Sequence, residues 1–140
     1  MKENFQEKMT TKRYSIFLDN KIIGTTELEK ADAPMGVVVG DIKLYDISSG
    51  YEFFKSYCLT KGIEIIDDYP DDKLIATSDI PTLKIINSNG IEIKGQGTSV
   101  DGMDSDVFQV TIFGVPYPFY EEEFSHHVKA YEDQFKEKQG

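Results

Sequence analysis

Residues 83–94 read Leu83-Lys84-Ile85-Ile86-Asn87-Ser88-Asn89-Gly90-Ile91-Glu92-Ile93-Lys94. Two isoleucine-rich runs, alternating with charged residues, flank an Asn-Gly pair. Asparagine and glycine both tolerate the positive φ of a tight turn, so the stretch predicts a β-hairpin and, with it, an antiparallel sheet. The elements on either side decide the fold class.

Downstream, Gly95 to Asp106 holds three glycines and reads as a loop. Val107 to Val115 follows as a strand, because Phe108, Val110 and Ile112 fall on one face. Pro118 suits the first turn of a helix. Glu121, Glu122 and Glu123 then sit near the positive end of the helix dipole. Phe124, Val128, Tyr131 and Phe135 recur at helical spacing as one apolar stripe, with Phe124, Val128 and Tyr131 expected against the sheet. Lys136 and Lys138 close this helix at its negative end.

Upstream, Tyr14, Ile16 and Leu18 alternate as a strand, Asp19-Asn20-Lys21 turns, and Ile22 to Leu28 returns. Ala31 to Pro34 breaks the pattern, and valine-rich Met35 to Tyr45 reads as a third strand. Ser49 offers an N-cap with Glu52 three residues on, and Gly62 is a C-cap signal, so Gly50 to Lys61 is a helix. Its Tyr51, Phe54 and Cys58 face the sheet, and Cys58 reads as a buried, inert thiol. Ile63 to Ile66 suggests a short strand, the acidic segment Asp67 to Asp72 a turn, and Lys73 to Thr77 another strand.

This order predicts an α+β fold. A mainly antiparallel sheet carries two helices, about 50–61 and 118–137, on one face. One domain is expected over 12–140, preceded by a flexible arm over 1–11. A chain of 140 residues is the usual size of one domain. With 39% apolar and 29% charged residues, its composition is that of a globular protein. A single cysteine excludes an internal disulfide. No apolar run reaches membrane-spanning length, and the N-terminus lacks the apolar core of a signal peptide. A cytoplasmic, bacterial protein is the expectation.

The formal net charge is -10. Between Gly97 and Asp133 stand eight acids, Asp101, Asp104, Asp106, Glu121, Glu122, Glu123, Glu132 and Asp133, against the one base Lys129. Such a balance disfavours nucleic-acid phosphates and anionic membrane surfaces. It suits a basic protein partner. Tyr117 and Tyr120 lie among these acids in the aromatic segment Pro116 to Tyr120, and tyrosines are favoured interface anchors. The predicted partner-binding residues are therefore Asp101, Asp104, Asp106, Tyr117, Tyr120, Glu121 and Glu122.

No constellation announces catalysis. Asp101 to Asp106 has the carboxylates of a calcium loop, but Asp106 and Ile112 stand where an EF-hand needs glycine and glutamate. His126 and His127 are adjacent, so they cannot chelate one metal as an i, i+4 pair does. Each has a glutamate one turn earlier, Glu122 and Glu123, predicting local helix ion pairs. Neither Gly36 to Gly40 nor Gly95 to Gly97 has the pattern of a phosphate loop, and no cofactor or metal is implied. The expected function is a small acidic binding protein, in its sharpest form an inhibitor or immunity-type protein covering a toxin or nuclease. The alternative is a small hydrolase-like enzyme using His126 or His127 with nearby carboxylates. Convergence of those histidines and acids in one pocket would favour the enzyme.

Overall fold

The first hairpin closes as its turn residues require. Strands β1 (Tyr14–Leu18) and β2 (Lys21–Thr26) pair antiparallel, and Asp19 and Asn20 between them take φ of 51° and 66°. Both are residue types that tolerate the left-handed region. The computed structural model describes residues 12–139, with side chains through Phe135. The arm expected over 1–11 and the lysines expected to close the last helix lie outside those limits.

The architecture is α+β and mainly antiparallel, in two sheets. After β2 come β3 (Lys30–Asp32), a 3-10 turn at Ala33–Met35, β4 (Val37–Asp41), β5 (Lys43–Leu44) and helix α1 (Gly50–Lys61). Then follow β6 (Ile65–Tyr69), a 3-10 turn at Pro70–Asp72, β7 (Leu74–Thr77), β8 (Leu83–Ile86), β9 (Gly97–Met103) and β10 (Phe108–Phe113). Helices α2 (Phe119–Glu123) and α3 (Ser125–Gln139) end the described chain. One sheet runs β5-β2-β1-β8 and the other β3-β4-β10-β9-β7-β6.

The chain changes sheets between β2 and β3 and again between β4 and β5. At the second crossing buried Ile42 donates its N–H to the Phe108 carbonyl at 2.8 Å. The expected single strand Met35 to Tyr45 is thus two strands in two sheets. The inward faces of both sheets feed one core, including Ile16, Leu18 and Ile85 from one and Ile75, Val100, Val110 and Ile112 from the other. Fully burying a side chain of this kind contributes about 1.5–3 kcal/mol relative to exposure.

Helix α1 occupies the span its capping signals predict. The Ser49 hydroxyl accepts the Glu52 N–H at 3.1 Å, and Gly62 ends the helix at φ 70°. Tyr51, Phe54 and Cys58 are buried, and α1 lies against β7 and β9.

Four local expectations change. The 83–94 hairpin is abbreviated: beyond β8 it makes one bridge, Ile86 to Glu92, with the Ile93 N–H on the Ile85 carbonyl at 2.8 Å. It also lies in the other sheet from β10, where a single sheet holding both was expected. The expected loop at Gly95 to Asp106 is mostly strand β9, paired along its length with β10. Asp67 to Tyr69 belongs to β6, so only Pro70–Asp72 turns.

The last helix is broken. Phe124, at φ -117° and ψ 41°, separates α2 from α3, and its ring is wholly buried beside Tyr14 and Tyr120. Burying that ring redirects the helix, so its apolar stripe departs from the sheet. Val128 is half-buried, Tyr131 is 36% exposed and Phe135 47% exposed.

Candidate functional site: an acidic sheet face

The structure distributes the predicted binding residues among different tasks. Asp101 stands mid-strand in β9, facing solvent. Asp104 turns inward at the β9–β10 tip: its Oδ1 accepts the Tyr51 N–H at 2.9 Å and its Oδ2 the Ser49 hydroxyl at 2.5 Å. It is a second cap on α1, not a free contact residue. Asp106 is exposed at the same tip.

Tyr117 is half-exposed, and its hydroxyl donates to the Ala33 carbonyl at 2.9 Å. Tyr120 is wholly buried and donates to the Val37 carbonyl at 2.9 Å, so it cannot serve as a surface anchor. Burial pushes its phenol up to about 12. Glu121 and Glu122 are exposed at the start of α2. They lie beyond the far end of β10 from Asp104 and Asp106, and its six residues alone span roughly 17 Å. The acidic loop and the helix start are therefore two places, not one face.

What the fold does assemble is an acidic face on the six-stranded sheet. Strand register opposes Asp67 to Ala76, Ala76 to Asp101, Asp101 to Gln109 and Gln109 to Asp41. Directly opposed residues share a face, so Asp67, Asp101 and Asp41 form one row, with neighbouring strands roughly 4.8 Å apart. The other face of the same strands carries buried Ile75, Val100 and Val110. The Asp104 N–H donates to the Lys73 carbonyl at 3.1 Å, which draws the β6–β7 and β9–β10 tips together. That brings Asp71 and Asp72 to the same rim as Asp106.

These carboxylates are not equivalent. Asp41 accepts from Gln109 Nε2 at 2.9 Å and meets Lys30 at 3.4 Å. The Gln109 hydrogen bond, with help from Lys30, holds its carboxyl below the usual range. Asp101 is shifted upward, because sheet atoms on either side strip part of its hydration although the residue as a whole is exposed; Lys30 opposes this. Among the described residues, no cation pairs with Asp67, Asp71, Asp72, Asp101 or Asp106. Asp67, Asp101 and Asp106 line a shallow groove of about 320 Å³ that Leu74, Met103 and Val107 also line.

The acidic run from Asp67 to Asp72 predicts a turn at Asp67, and nothing in the local sequence marks Asp41. The signal for Asp67 was the isoleucine-rich approach to it, which continues as strand. Asp41 is placed by register alone.

The histidines lie elsewhere. Neither forms the predicted glutamate pair, because the break at Phe124 interrupts the helical spacing. The His127 Nε2 bonds the Leu28 carbonyl at 2.8 Å, and the two imidazoles are 4.1 Å apart. Glu123 instead accepts from the Tyr14 hydroxyl at 2.8 Å, Asn87 Nδ2 at 3.0 Å and Lys12 Nζ at 3.3 Å. It ties β1, the loop after β8 and the end of α2 together. His126 is held below its ordinary range by burial, then by the adjacent His127 and Lys12, with Glu123 opposing. The fold does not bring Asp101 to Asp106 to these imidazoles: Asp104 caps α1 and Asp101 and Asp106 line the outer groove, whereas His127 bonds the Leu28 carbonyl at the β2–β3 crossing. Burial raises the Cys58 thiol. Among the described residues, no group of three or more His, Cys, Asp or Glu is arranged to hold a metal ion. Nor is any helix there long and apolar enough to cross a membrane. Comparison of the chain with protein-family models, with curated proteins and with solved structures returns no match.

Proposed function

We propose that this is a small acidic binding protein that engages a basic protein partner through the outer face of its six-stranded sheet. In the sharpest form it is an inhibitor or immunity-type protein that covers the positive active site of a toxin or nuclease. One observation carries the reading. Asp67 from β6, Asp101 from β9 and Asp106 from the β9–β10 tip come to one groove, with Asp71 and Asp72 in the turn after β6, and none of the five is paired with a cation among the described residues. Apolar Leu74, Met103 and Val107 line the same groove.

Carboxylates left unneutralised deepen the negative local potential and speed encounter with a cationic surface. The apolar lining supplies area whose burial slows release. A flat sheet face lends the rigidity that keeps the ordering cost of association low.

The test is kinetic. A partner captured by pull-down is titrated with the parent protein and with a D67K/D101K variant. The variant should associate at least about tenfold more slowly, with release little changed, and added salt should slow association of the parent in the same way. Association insensitive to both salt and charge reversal, with an unchanged melting curve, places the interface elsewhere.

A further inference from the structure

β6 is the last strand of the six-stranded sheet, so one of its edges has no neighbouring strand among the described residues. Register shows which groups lie open there. In an antiparallel pair, alternate residues turn their backbone groups towards the partner strand. The Ser78 N–H reaches the Glu64 carbonyl at 2.9 Å, so Glu64 faces β7 and Ile65 faces away. Along β7 the same alternation turns Ala76 towards β6 and Ile75 towards β9. Asp68, opposite Ile75, therefore faces away from β7 as well. Ile65 and Asp68 each present an N–H and a carbonyl to an added strand.

Apolar surface lies on both sides of this edge. On the solvent side Tyr69 is 54% exposed, and Ile66, at the bulge between Ile65 and Asp67, is 61% exposed. On the core side Lys55 of α1 pairs with Asp68 at 3.0 Å. Leu59 stands one turn further along the same flank of α1 and is 67% exposed.

Charge selects the occupant. Glu64, Asp67, Asp71 and Asp72 lie along β6 and at its ends, without a cation partner among the described residues. The lysines nearby are already paired: Lys55 with Asp68, Lys73 with Glu52 and Lys61 with Asp19. A second copy would bring the aspartates of one β6 against those of the other and is repelled, as charged edge strands repel their own kind. A basic segment meets no such barrier.

We propose that the partner of the acidic face adds an extended segment to the open edge of β6, with basic side chains on the solvent side and apolar ones over Leu59. The inference rests on the reading of that face, because Asp67 serves both. Asp67 and the Tyr69 ring receive the basic side chains, whose aliphatic stems cover Ile66. Lys55 disfavours a cation on the α1 side.

The probe is an acetylated, amidated hexapeptide, arginine-valine-arginine-valine-arginine-valine, titrated against the isotope-labelled full chain. Saturable amide shifts should map to Leu59, Ile65, Ile66 and Asp68. Two counterparts are N-methylated, one at every valine and one at every arginine. Successive N–H groups of a strand point to opposite edges, so only one counterpart keeps the donors that face β6, and their affinities should differ by at least about tenfold. A counterpart with glutamates for arginines should bind about tenfold more weakly than the parent peptide. Asp67→Asn and Leu59→Ser, both on the surface, should each weaken the parent peptide about threefold while amides distant from β6 stay put. Absence of saturable shifts, shifts confined to Asp101 and Gln109 at the centre of the face, equal binding of the two N-methylated peptides, or equal binding of the glutamate peptide each overturns the proposal. Shifts at β6 that grow with protein concentration alone make the occupant a second copy of this chain and overturn it too. If D67K/D101K still slows the partner while β6 takes no peptide, the reading of the face survives the loss of the added strand; partner association insensitive to D67K/D101K overturns both.

Discussion

The carboxylate of Asp104 accepts the hydroxyl of Ser49 at 2.5 Å, and so reaches across from the β9–β10 tip to the start of α1. Its second oxygen takes the Tyr51 N–H. One orphan N–H at the helix start is thereby satisfied by a residue more than fifty positions away, and the hydroxyl of the local cap Ser49 is held in place by the same carboxylate.

Loss of this cap should be costly. Asp104→Ala is expected to destabilise the fold by about 1–2 kcal/mol, the range of helix-cap deletions. Asp101→Ala, whose carboxylate caps nothing, should stay within about 0.5 kcal/mol. Urea denaturation of the two variants checks this, and equal losses would remove the distinction between capping and surface acids.

Phe124→Ala should cost about 3–5 kcal/mol, because the ring is wholly buried at the α2–α3 break. Tyr131→Ala should cost under about 1 kcal/mol, since its side chain is already partly in water. Thermal melts of both variants decide whether α3 is held chiefly at its first turn.

Gly50 is buried at the first turn of α1, and a Cβ there would come within 2.5 Å of the Phe108 ring. Gly50→Ala should therefore destabilise by about 1–3 kcal/mol despite alanine's higher helix propensity. A variant more stable than the parent in denaturant would show that the Phe108 ring yields.

Stability should fall in alkali. Burial raises Tyr120 to about 12, with negative charge developing on Tyr117 and the Asp32 carboxylate adding to it. An unfolded tyrosine titrates near 10, so above about pH 10 the unfolded chain loses protons that the folded chain keeps. The stabilisation present below pH 10 is lost as pH rises towards 12. Tyr14, raised further by burial and by Glu123, adds to the same slope. Denaturation midpoints between pH 9 and 11 should fall less steeply for Tyr120→Phe than for the parent. Parallel slopes would show that Tyr120 titrates as a solvated phenol.

Sequence patterns resolved the elements whose signals are local. Ser49, Glu52 and Gly62 bound α1, Asp19 and Asn20 turn the first hairpin, and Phe108, Val110 and Ile112 alternate because one side of β10 meets the core. β9 carries no such local signal, for the opposite reason. Its side chains are mostly glycine, threonine, serine and aspartate, and Val100 alone marks its inward face. The helix break at Phe124 has no local signal either, since an unbroken 3.6-residue stripe runs through it.

The sequence by itself determined the fold class, the first helix, the first hairpin and the concentration of negative charge, because caps, turns and alternation act between residues close in the chain. Only the tertiary structure decided which acids share a face. Strand register sets Asp67, Asp101 and Asp41 in one row from three distant segments, burial removes Tyr120 from the surface, and Asp104 is consumed in capping a helix. Register and burial are settled by packing between segments far apart in sequence, and no local pattern encodes them.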